Sequence, residues 1–318
     1  MTGLKYSANI VTKTKEYTQE QIKMLEEFTR KHPVESTVEA YRLLWMDDSM
    51  VPGASLYMEC IWLWEGATTS GTTEHPHVHE FDEVIGFIST GKENPGELDA
   101  RMEIILGDET HYLTKSCLVH VPAGMNHCPL TFREVNRPVF FFTLAPVSRY
   151  GRKAQDTDSQ GNPVPLKTIF VPPETPDASG TKYGRYIITG VKPKNFPPRK
   201  GPPTAETTRV VSLDDDMSKG AFYVEFVWIW SGTTTMAPDG HAHDWDEMIG
   251  IIGSDRQHPR QLGGEVSIIL GDEKHNLTRS SLVYIPRGLF HCPLEFKDIK
   301  TPVLCFTVGN TVEYSIVD

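Results

Sequence analysis

Histidine and glutamate recur at strand spacing in two segments of the 318-residue chain. In the first segment His77, His79 and Glu83 have the same parity, and because side chains on a strand alternate between its faces, all three can point to one side. The second segment has the same H-x-H-x3-E spacing, and each is followed later by Pro-x-Gly-x-x-His, whose turn can bring in a fourth side chain. The eight candidate metal ligands are His77, His79, Glu83 and His127 in the first half, and His241, His243, Glu247 and His291 in the second.

Three imidazoles and one carboxylate form a borderline-to-hard ligand set without a thiolate. Such a set suits Mn(II), Fe(II), Co(II) or Ni(II), and also Zn(II). An octahedral ion would keep two positions for water or substrate, whereas zinc is more often satisfied by four ligands. We therefore expect a divalent metal at two sites per chain, with Mn, Fe, Ni or Co ahead of Zn.

Three residues are candidates for catalytic roles. Glu83 and Glu247 could each leave an open metal and accept a proton, although a permanent role as fourth ligand agrees equally well with their positions. His120 lies just before the first Pro-x-Gly turn and could act as a pocket acid or base, with packing as the alternative. His111 and His275 each follow a Gly-Asp-Glu turn, which predicts exposed hairpin ends.

The chain contains an internal duplication. Residues 104–144 and 268–308 match at 23 of 41 positions without a gap, at a constant offset of 164. Chance does not give such a match, so the two ligand sets belong to two copies of one ancestral unit. Further upstream, Lys5-Tyr6 before Ile-Val-Thr resembles Lys182-Tyr183 before Ile-Ile-Thr, so each half is expected to begin with the same arm strand. The predicted domains are 1–150 and 178–318, joined by a Pro-rich linker over 151–177.

Short strands dominate the predicted secondary structure. Gly and Pro together number 48, which favours many turns. One helix is predicted over Thr18–Lys31, because Thr18 and Gln21 have the spacing of a capping box. The fold class is therefore all-β, with a short N-terminal helix, and the strands are expected to form a sandwich, jelly roll or barrel in each half. The clearest strands are Leu56–Trp64, Val84–Ile88, Arg101–Leu106, Leu118–Val121 and Val139–Leu144.

The paired motifs resemble the cupin superfamily, whose two-part metal motif is H-x-H-x3-E followed by P-x-G-x-x-H. The motif is complete twice, so the chain resembles the bicupins, including quercetin dioxygenases and oxalate decarboxylases. The resemblance implies a double-stranded β-helix barrel with a metal inside and a substrate mouth at one end. Ser116 and Ser280 depart from the glycine that many cupins have at that turn, but neither position is a ligand.

Charge and cysteine content exclude several classes of partner. The formal net charge is −11, which argues against nucleic acid and against an anionic membrane surface. Five cysteines without a CxxC indicate neither a disulfide framework nor a zinc ribbon. The N-terminus has no apolar signal segment, so a cytoplasmic protein is expected. The expected partners are a small-molecule substrate and further copies of the chain, as a homo-oligomer.

Three functions agree with these features. The first is a metal-dependent enzyme that cleaves a C–C bond in a small oxygen-rich substrate such as a polyphenol or cyclic diketone, either by dioxygenation or by hydrolysis. The second is an oxalate-type decarboxylase, and the third is a non-catalytic binding or storage protein. We favour the first, with one principal active site, and slightly prefer the first half because of His75, His120 and Asn126.

Overall fold

Two β-barrels follow one another in the computed structural model. It describes residues 4–151, 153–154, 170–173, 176–177, 180–193 and 204–317. The predicted linker over 151–177 falls largely outside the described residues. The two-barrel, all-β fold predicted from the sequence is confirmed, and so is its single short helix.

The first half contains the helix α1, Gln19–Lys31, and thirteen short strands. The side chain of Thr18 accepts from the backbone N–H of Gln21, and the Gln21 side chain accepts in return, which completes the predicted capping box. The strands are β1 Ile10–Val11, β2 Glu35–Ser36, β3 Ala40–Met46, β4 Tyr57–Leu63, β5 Gly66–Ser70, β6 His77–Val78, β7 Glu83–Ser89, β8 Glu97–Leu106, β9 Glu109–Lys115, β10 Cys117–Val121, β11 His127–Val135, β12 Val139–Ala145 and β13 Lys153–Ala154.

The second half repeats this order without a long helix among its described residues. Its longest strand corresponds to β4 and β5 joined, and it bends from one sheet into the next. The strands are β14 Ile187–Thr189, β15 Glu206–Leu213, β16 Tyr223–Met236, β17 Glu247–Gly253, β18 Gln261–Leu270, β19 Glu273–Arg279, β20 Ser281–Ile285, β21 His291–Ile299 and β22 Val303–Gly309. No helix in the described part of the chain has the length and apolarity needed to cross a membrane.

Two sheets face each other in the first barrel. One has the strand order β14-β10-β7-β12-β4-β3, and the other runs β13-β6-β11-β5-β2, with β8 and β9 added beside β11. Alternation of apolar and polar residues makes the interior, as in β8, where Leu98, Met102 and Ile104 are buried between exposed neighbours. The barrel interior therefore receives every second side chain of each strand.

The halves pack together through the outer faces of their sheets. Phe142 of β12 stacks on Phe226 of β16 with ring centroids 4.8 Å apart, and Trp62 and Trp228 are fully buried in the same cluster. The indole N–H of Trp228 donates to the carbonyl of Ser89, across the two halves, at 2.9 Å. Sheet-on-sheet packing of this kind buries apolar area on both partners, so the halves form one body.

Each arm strand is exchanged between the halves. β1, from the N-terminus, pairs with β20 of the second barrel, and β14, which begins the second half, pairs with β10 of the first. The backbone N–H groups of Lys5 and Tyr6 donate to the Glu273 carboxylate at 2.8 and 3.0 Å. Those of Lys182 and Tyr183 donate to Glu109 at 2.9 and 3.0 Å. The two predicted arm strands are present, but each completes the other half's sheet.

These arms overturn the prediction of exposed hairpin ends at His111 and His275. Both are buried, with 9% and 4% of their surface exposed. The reason is that the ring of Tyr183 lies on Gly107 and the ring of Tyr6 lies on Gly271, at the two Gly-Asp-Glu turns. Local sequence predicts an exposed turn at each site, but in the fold a tyrosine from a distant part of the chain covers that turn.

Candidate metal centres

Four side chains converge inside the first barrel. His77 begins β6, Glu83 begins β7, His127 begins β11, and His79 lies in the connection between β6 and β7. Between 0% and 3% of each residue is exposed. One ligand atom from each lies within 4.8 Å of those from the other three, which is the spacing of groups around a single ion.

The second barrel brings its equivalent residues close together with a different spacing. His243, Glu247 and His291 lie within 4.8 Å of one another, and His241 lies within that distance of His291 and Cys292. His241 is not grouped at that distance with His243 and Glu247. The histidine rings of the two clusters are nevertheless spaced alike: their centroids are 4.8, 4.2 and 5.2 Å apart in the first cluster and 4.9, 4.4 and 5.1 Å apart in the second.

Backbone carbonyls fix the orientation of all six imidazoles. In each ring Nδ1 faces a carbonyl oxygen, so Nδ1 carries the proton and the lone pair of Nε2 points into the cluster. Four of the carbonyls lie two residues before the ligand that they contact, and in each half one more comes from the segment after the last barrel strand. The pairs are His77 with His75 (2.6 Å), His127 with Met125 (3.1 Å), His79 with Gly151 (2.7 Å), His241 with Asp239 (3.0 Å), His291 with Leu289 (2.9 Å) and His243 with Ser315 (2.5 Å).

Several ligand atoms are buried without a hydrogen-bond partner among the described residues. They are Nε2 of His77, His127, His243 and His291, and Oε2 of Glu83 and Glu247. Native proteins rarely leave such atoms unsatisfied unless an ion or water completes the site. In each cluster the lone pairs of these atoms are close together, so a divalent cation between them would satisfy them.

The protonation states in the first site also suit a cation. Burial, with a further contribution from His127, lowers the pKa of His77 to about 3, so this imidazole is neutral at neutral pH. Burial alone would raise the pKa of Glu83, but the adjacent rings of His127 and His79 outweigh burial and hold the pKa of this carboxyl well below its usual range. In the second site burial lowers the pKa of His291, but the Glu247 carboxylate, 2.8 Å from its Nε2, raises it more, so the net shift of this pKa is upward.

The Pro-x-Gly turn connects the ligand-bearing segments. Gly124 has φ +79°, a conformation that favours glycine, and its N–H donates to the carbonyl of His79 at 2.8 Å. The N–H of Ala123 donates to the Asp82 carboxylate at 2.7 Å. The turn that leads to His127 is thereby fixed to the connection that carries His79 and Glu83.

His120 lies outside both clusters. On β10 it faces the same side as Leu118, which packs in the core between the halves, whereas Val119 and Val121 face the barrel interior. Its Nδ1 lies 2.8 Å from Ser218 Oγ of the second half, and its Nε2 lies 3.5 Å from Asp82. The structure therefore does not bring His120 together with Glu83, and the packing alternative describes its surroundings.

Two tyrosines that the sequence analysis did not single out also contact the clusters. The hydroxyl of Tyr150 lies 2.9 Å from Glu83 Oε1 and 3.0 Å from His79 Nε2, and that of Tyr314 lies 3.3 Å from His241 Nε2. The pair shares the offset of 164 that relates the two copies, although both residues lie beyond the segments that match without a gap. Extending the alignment by a few residues would have found them.

Aromatic rings flank the ligands on one side. Phe81 stacks on His79 with ring centroids 4.7 Å apart, and Trp245 stacks on His243 at 4.0 Å. His75, considered as a competing ligand, instead contributes its carbonyl to His77, and its ring packs at 5.0 Å against Phe28 of α1. Each cluster thus has an aromatic ring stacked on one ligand, and the first also has α1 beside it, a helix without a counterpart among the described residues of the second half.

Comparisons with known proteins agree on the fold. No protein-family model matches the sequence, and no curated protein matches it. Among solved structures, the Lactobacillus farciminis oxalate decarboxylase in its formate complex superposes with a TM-score of 0.54 at 12% identity, over 90% of this chain and 86% of that one. A variant of the Bacillus subtilis oxalate decarboxylase gives 0.54 at 11% identity, over 90% of this chain and 77% of that one.

At this level of identity the likeness concerns the fold alone. It extends over 90% of this chain, which is more than either barrel alone. The chain therefore has the bicupin fold, two cupin barrels in tandem, each with a candidate centre for a divalent metal.

Proposed function

We propose that this chain is a metal-dependent enzyme that cleaves a C–C bond in a small, oxygen-rich substrate bound as an enolate. The observation that carries the proposal is the first cluster, where one ligand atom from each of three imidazoles and one carboxylate lie, buried, within 4.8 Å of one another. A bound divalent ion would supply the Lewis acid that polarises a substrate carbonyl and stabilises the enolate oxygen.

The charge of the first site favours a monoanionic substrate. One carboxylate beside a divalent ion leaves a net charge of about +1, which a single enolate neutralises. A dianion such as oxalate would leave one negative charge that the ion and its carboxylate ligand do not neutralise.

Aromatic residues cover one side of the first cluster, where they limit the access of water and hold the ligand His79 in place. Phe81 and Tyr150 cover His79 with ring centroids 4.7 and 4.8 Å from its ring, which limits water around the ligands. Glu83, kept as a carboxylate, is the only anionic ligand and the group that could accept the acidic proton of a diketone or polyphenol. These features favour an enolisable substrate over a saturated one.

Decarboxylation of a small dicarboxylate is the second candidate. It is favoured by the likeness of the fold to oxalate decarboxylases, and it also breaks a C–C bond, with CO2 as one product. A non-catalytic binding role is the third, and agrees with the ligands but not with the expectation of open coordination positions.

One set of assays separates these functions. The purified protein is loaded with Mn(II), Fe(II), Co(II) or Ni(II), and its bound metal is measured. It is then incubated with cyclic diketones, polyphenols or oxalate, in air and under argon. Turnover of a diketone or polyphenol only in air indicates dioxygenation, and turnover under argon indicates hydrolysis. Release of formate and CO2 from oxalate would favour the decarboxylase, and full activity without metal would exclude the proposal.

A further inference from the structure

The two oxygens of Glu83 have different neighbours. Oε2 faces the ligand cluster, 3.1 Å from His127 Nε2 and 3.5 Å from His79 Nε2, and has no hydrogen-bond partner among the described residues. Oε1 accepts a hydrogen bond from the Tyr150 hydroxyl at 2.9 Å. The carboxylate is therefore oriented with one oxygen toward the metal position and the other toward a phenol.

Once a metal is bound, the Tyr150 hydroxyl is expected to donate its proton in a hydrogen bond to Glu83. The hydroxyl also lies 3.0 Å from Nε2 of His79, and both neighbours are acceptors because the His79 proton is on Nδ1, facing Gly151. A phenol has one proton to donate. A cation that takes the Nε2 lone pair removes one acceptor and leaves Oε1 of Glu83 as the other.

The position of Tyr150 is set by packing. Its ring stacks on Tyr57, with centroids 4.5 Å apart and an angle of 29° between the planes, and it also lies 5.9 Å from Phe81. Tyr57 is buried, and its own hydroxyl lies 3.3 Å from Thr143 Oγ1. The next residue, Gly151, supplies the carbonyl that orients His79. One short segment thus orients two of the four ligands.

We propose that Tyr150 is a positioning residue of the first metal centre, which holds Glu83 as a one-oxygen ligand through Oε2. A carboxylate that is free to turn can bind a metal through both oxygens and occupy an additional coordination position. With Oε1 held by Tyr150, an octahedral ion bound by four single donors keeps two positions for the chelated substrate. The inference rests on the metal-binding part of the proposed function and not on the reaction.

The first test measures the affinity of the first centre for Co(II). The background carries His241→Ala, so that the second centre does not contribute, and Co(II) is titrated against a competing chelator. Tyr150→Phe keeps the ring and removes the hydroxyl, and we expect it to weaken Co(II) binding about 10-fold, the usual effect of losing a partner that orients a ligand. Tyr57→Phe is the matched control, because its hydroxyl contacts Thr143 and no ligand, and its affinity should equal that of the background.

A double-mutant cycle tests whether Tyr150 acts through Glu83. Tyr150→Phe is introduced with and without Glu83→Gln, and the fold-loss in Co(II) affinity is compared. We expect Tyr150→Phe to have no further effect once Glu83 is Gln, since coupled residues are not additive. An equal loss in both backgrounds, or no loss in either, would overturn the inference.

Fe(III) separates positioning from direct coordination. A phenolate bound to Fe(III) gives a visible charge-transfer band, so the loaded protein should lack a band that depends on Tyr150. A band that disappears in Tyr150→Phe would make the phenol a ligand and overturn the positioning role. If the background protein binds no Co(II), the proposed function itself fails. If it binds Co(II) and Tyr150→Phe changes nothing, only the inference fails.

Discussion

At the scale of single residues, the Nδ1 atoms of the histidines decide what both centres can bind. Each is held by a carbonyl, so each Nε2 is a lone-pair donor before any ligand arrives. A preorganised set of donors loses little freedom when the metal binds. This orientation favours candidate metal centres over groups of buried histidines that only pack.

Removing one ligand from each centre compares the two. We expect His77→Ala and His241→Ala each to lower the bound metal from about two ions per chain to about one, because an octahedral site short of a ligand binds weakly. His77→Ala should abolish most turnover and His241→Ala should leave most of it, because the proposed function places the reaction at the first centre. Metal analysis and initial rates check both parts. Native turnover in both variants would show that neither centre is catalytic.

The metal-free protein should lose stability on acidification because of His77. Its pKa is about 3 when folded and ordinarily 6.5, so between these values the unfolded chain binds the extra proton. The free energy of unfolding therefore falls as the pH drops below 6.5, by at most about 1.4 kcal/mol per pH unit for this one group. Urea denaturation from pH 7.5 to 4.5 should show a shallower fall for His77→Gln, which cannot titrate.

His291 provides the control of opposite sign. Its folded pKa is raised by Glu247, so its contribution is fully present below pH 6.5 and is lost as the pH rises through the folded value. His291→Gln should therefore leave the acid side of the curve unchanged and flatten the decline above pH 6.5. Equal effects of the two substitutions on the acid side would contradict the assignment.

At the scale of single elements, β7 connects the first centre to the core between the halves. Glu83 begins the strand and faces inward, while Gly86, three residues on, lies against the ring of Phe142. The second barrel repeats this contact between Gly250 and Phe306. The strand that carries the carboxylate ligand is therefore fixed by a glycine that lets an aromatic ring lie directly on its backbone.

Gly86→Ala should destabilise the protein by about 1–3 kcal/mol, because the added methyl group would overlap the ring of Phe142 in a filled core. The first centre should bind Co(II) more weakly in the same variant, because β7 must shift. Gly96→Ala is the control, since its methyl group would meet nothing closer than the Asn94 side chain at 3.6 Å. Urea denaturation checks the stability, and equal midpoints for the two variants would exclude a clash at Gly86.

Local spacing predicts the ligands, but other features of the fold depend on distant pairing. The period of two places His77, His79 and Glu83 on one face, and the duplication predicts two barrels. Alternation also predicts that His120 lies on the opposite face of β10 from Val119 and Val121. It does not predict that the second half of the chain covers the face that bears His120. Tyr150 reaches Glu83 because β12 pairs antiparallel with β7 and ends beside the first residues of β7, and nothing local to Tyr150 encodes that pairing.

At the scale of the whole molecule, exchange of the arm strands makes each barrel depend on the other half. β20 has a partner on both sides only when β1 is present, and β10 likewise needs β14. The predicted homo-oligomer stays a prediction, but this pair of edges is already occupied within one chain. Edge strands left without a partner are the usual sites of unwanted pairing.

Deleting the first eleven residues should affect the distant barrel. We expect amide hydrogen exchange to accelerate in β20, Ser281–Ile285, which loses β1, while β10, Cys117–Val121, keeps its protection because β14 remains. Glu273→Ala, which removes the acceptor for the N–H groups of Lys5 and Tyr6, should produce a weaker change in the same place. Faster exchange confined to the first barrel would contradict the exchange of arms.

The exchanged arms also impose an order on folding during synthesis of the chain. Residues leave the ribosome from the N-terminus, and domains generally begin to fold as they emerge. The first barrel cannot complete its sheet until β14, Ile187–Thr189, has been synthesised. The N-terminal strand β1 has no partner until β20, Ser281–Ile285, is made near the end of translation. A gene cut between the two copies would therefore encode two barrels with open edges, so neither half is a ready-made single-barrel protein despite the duplication that produced it.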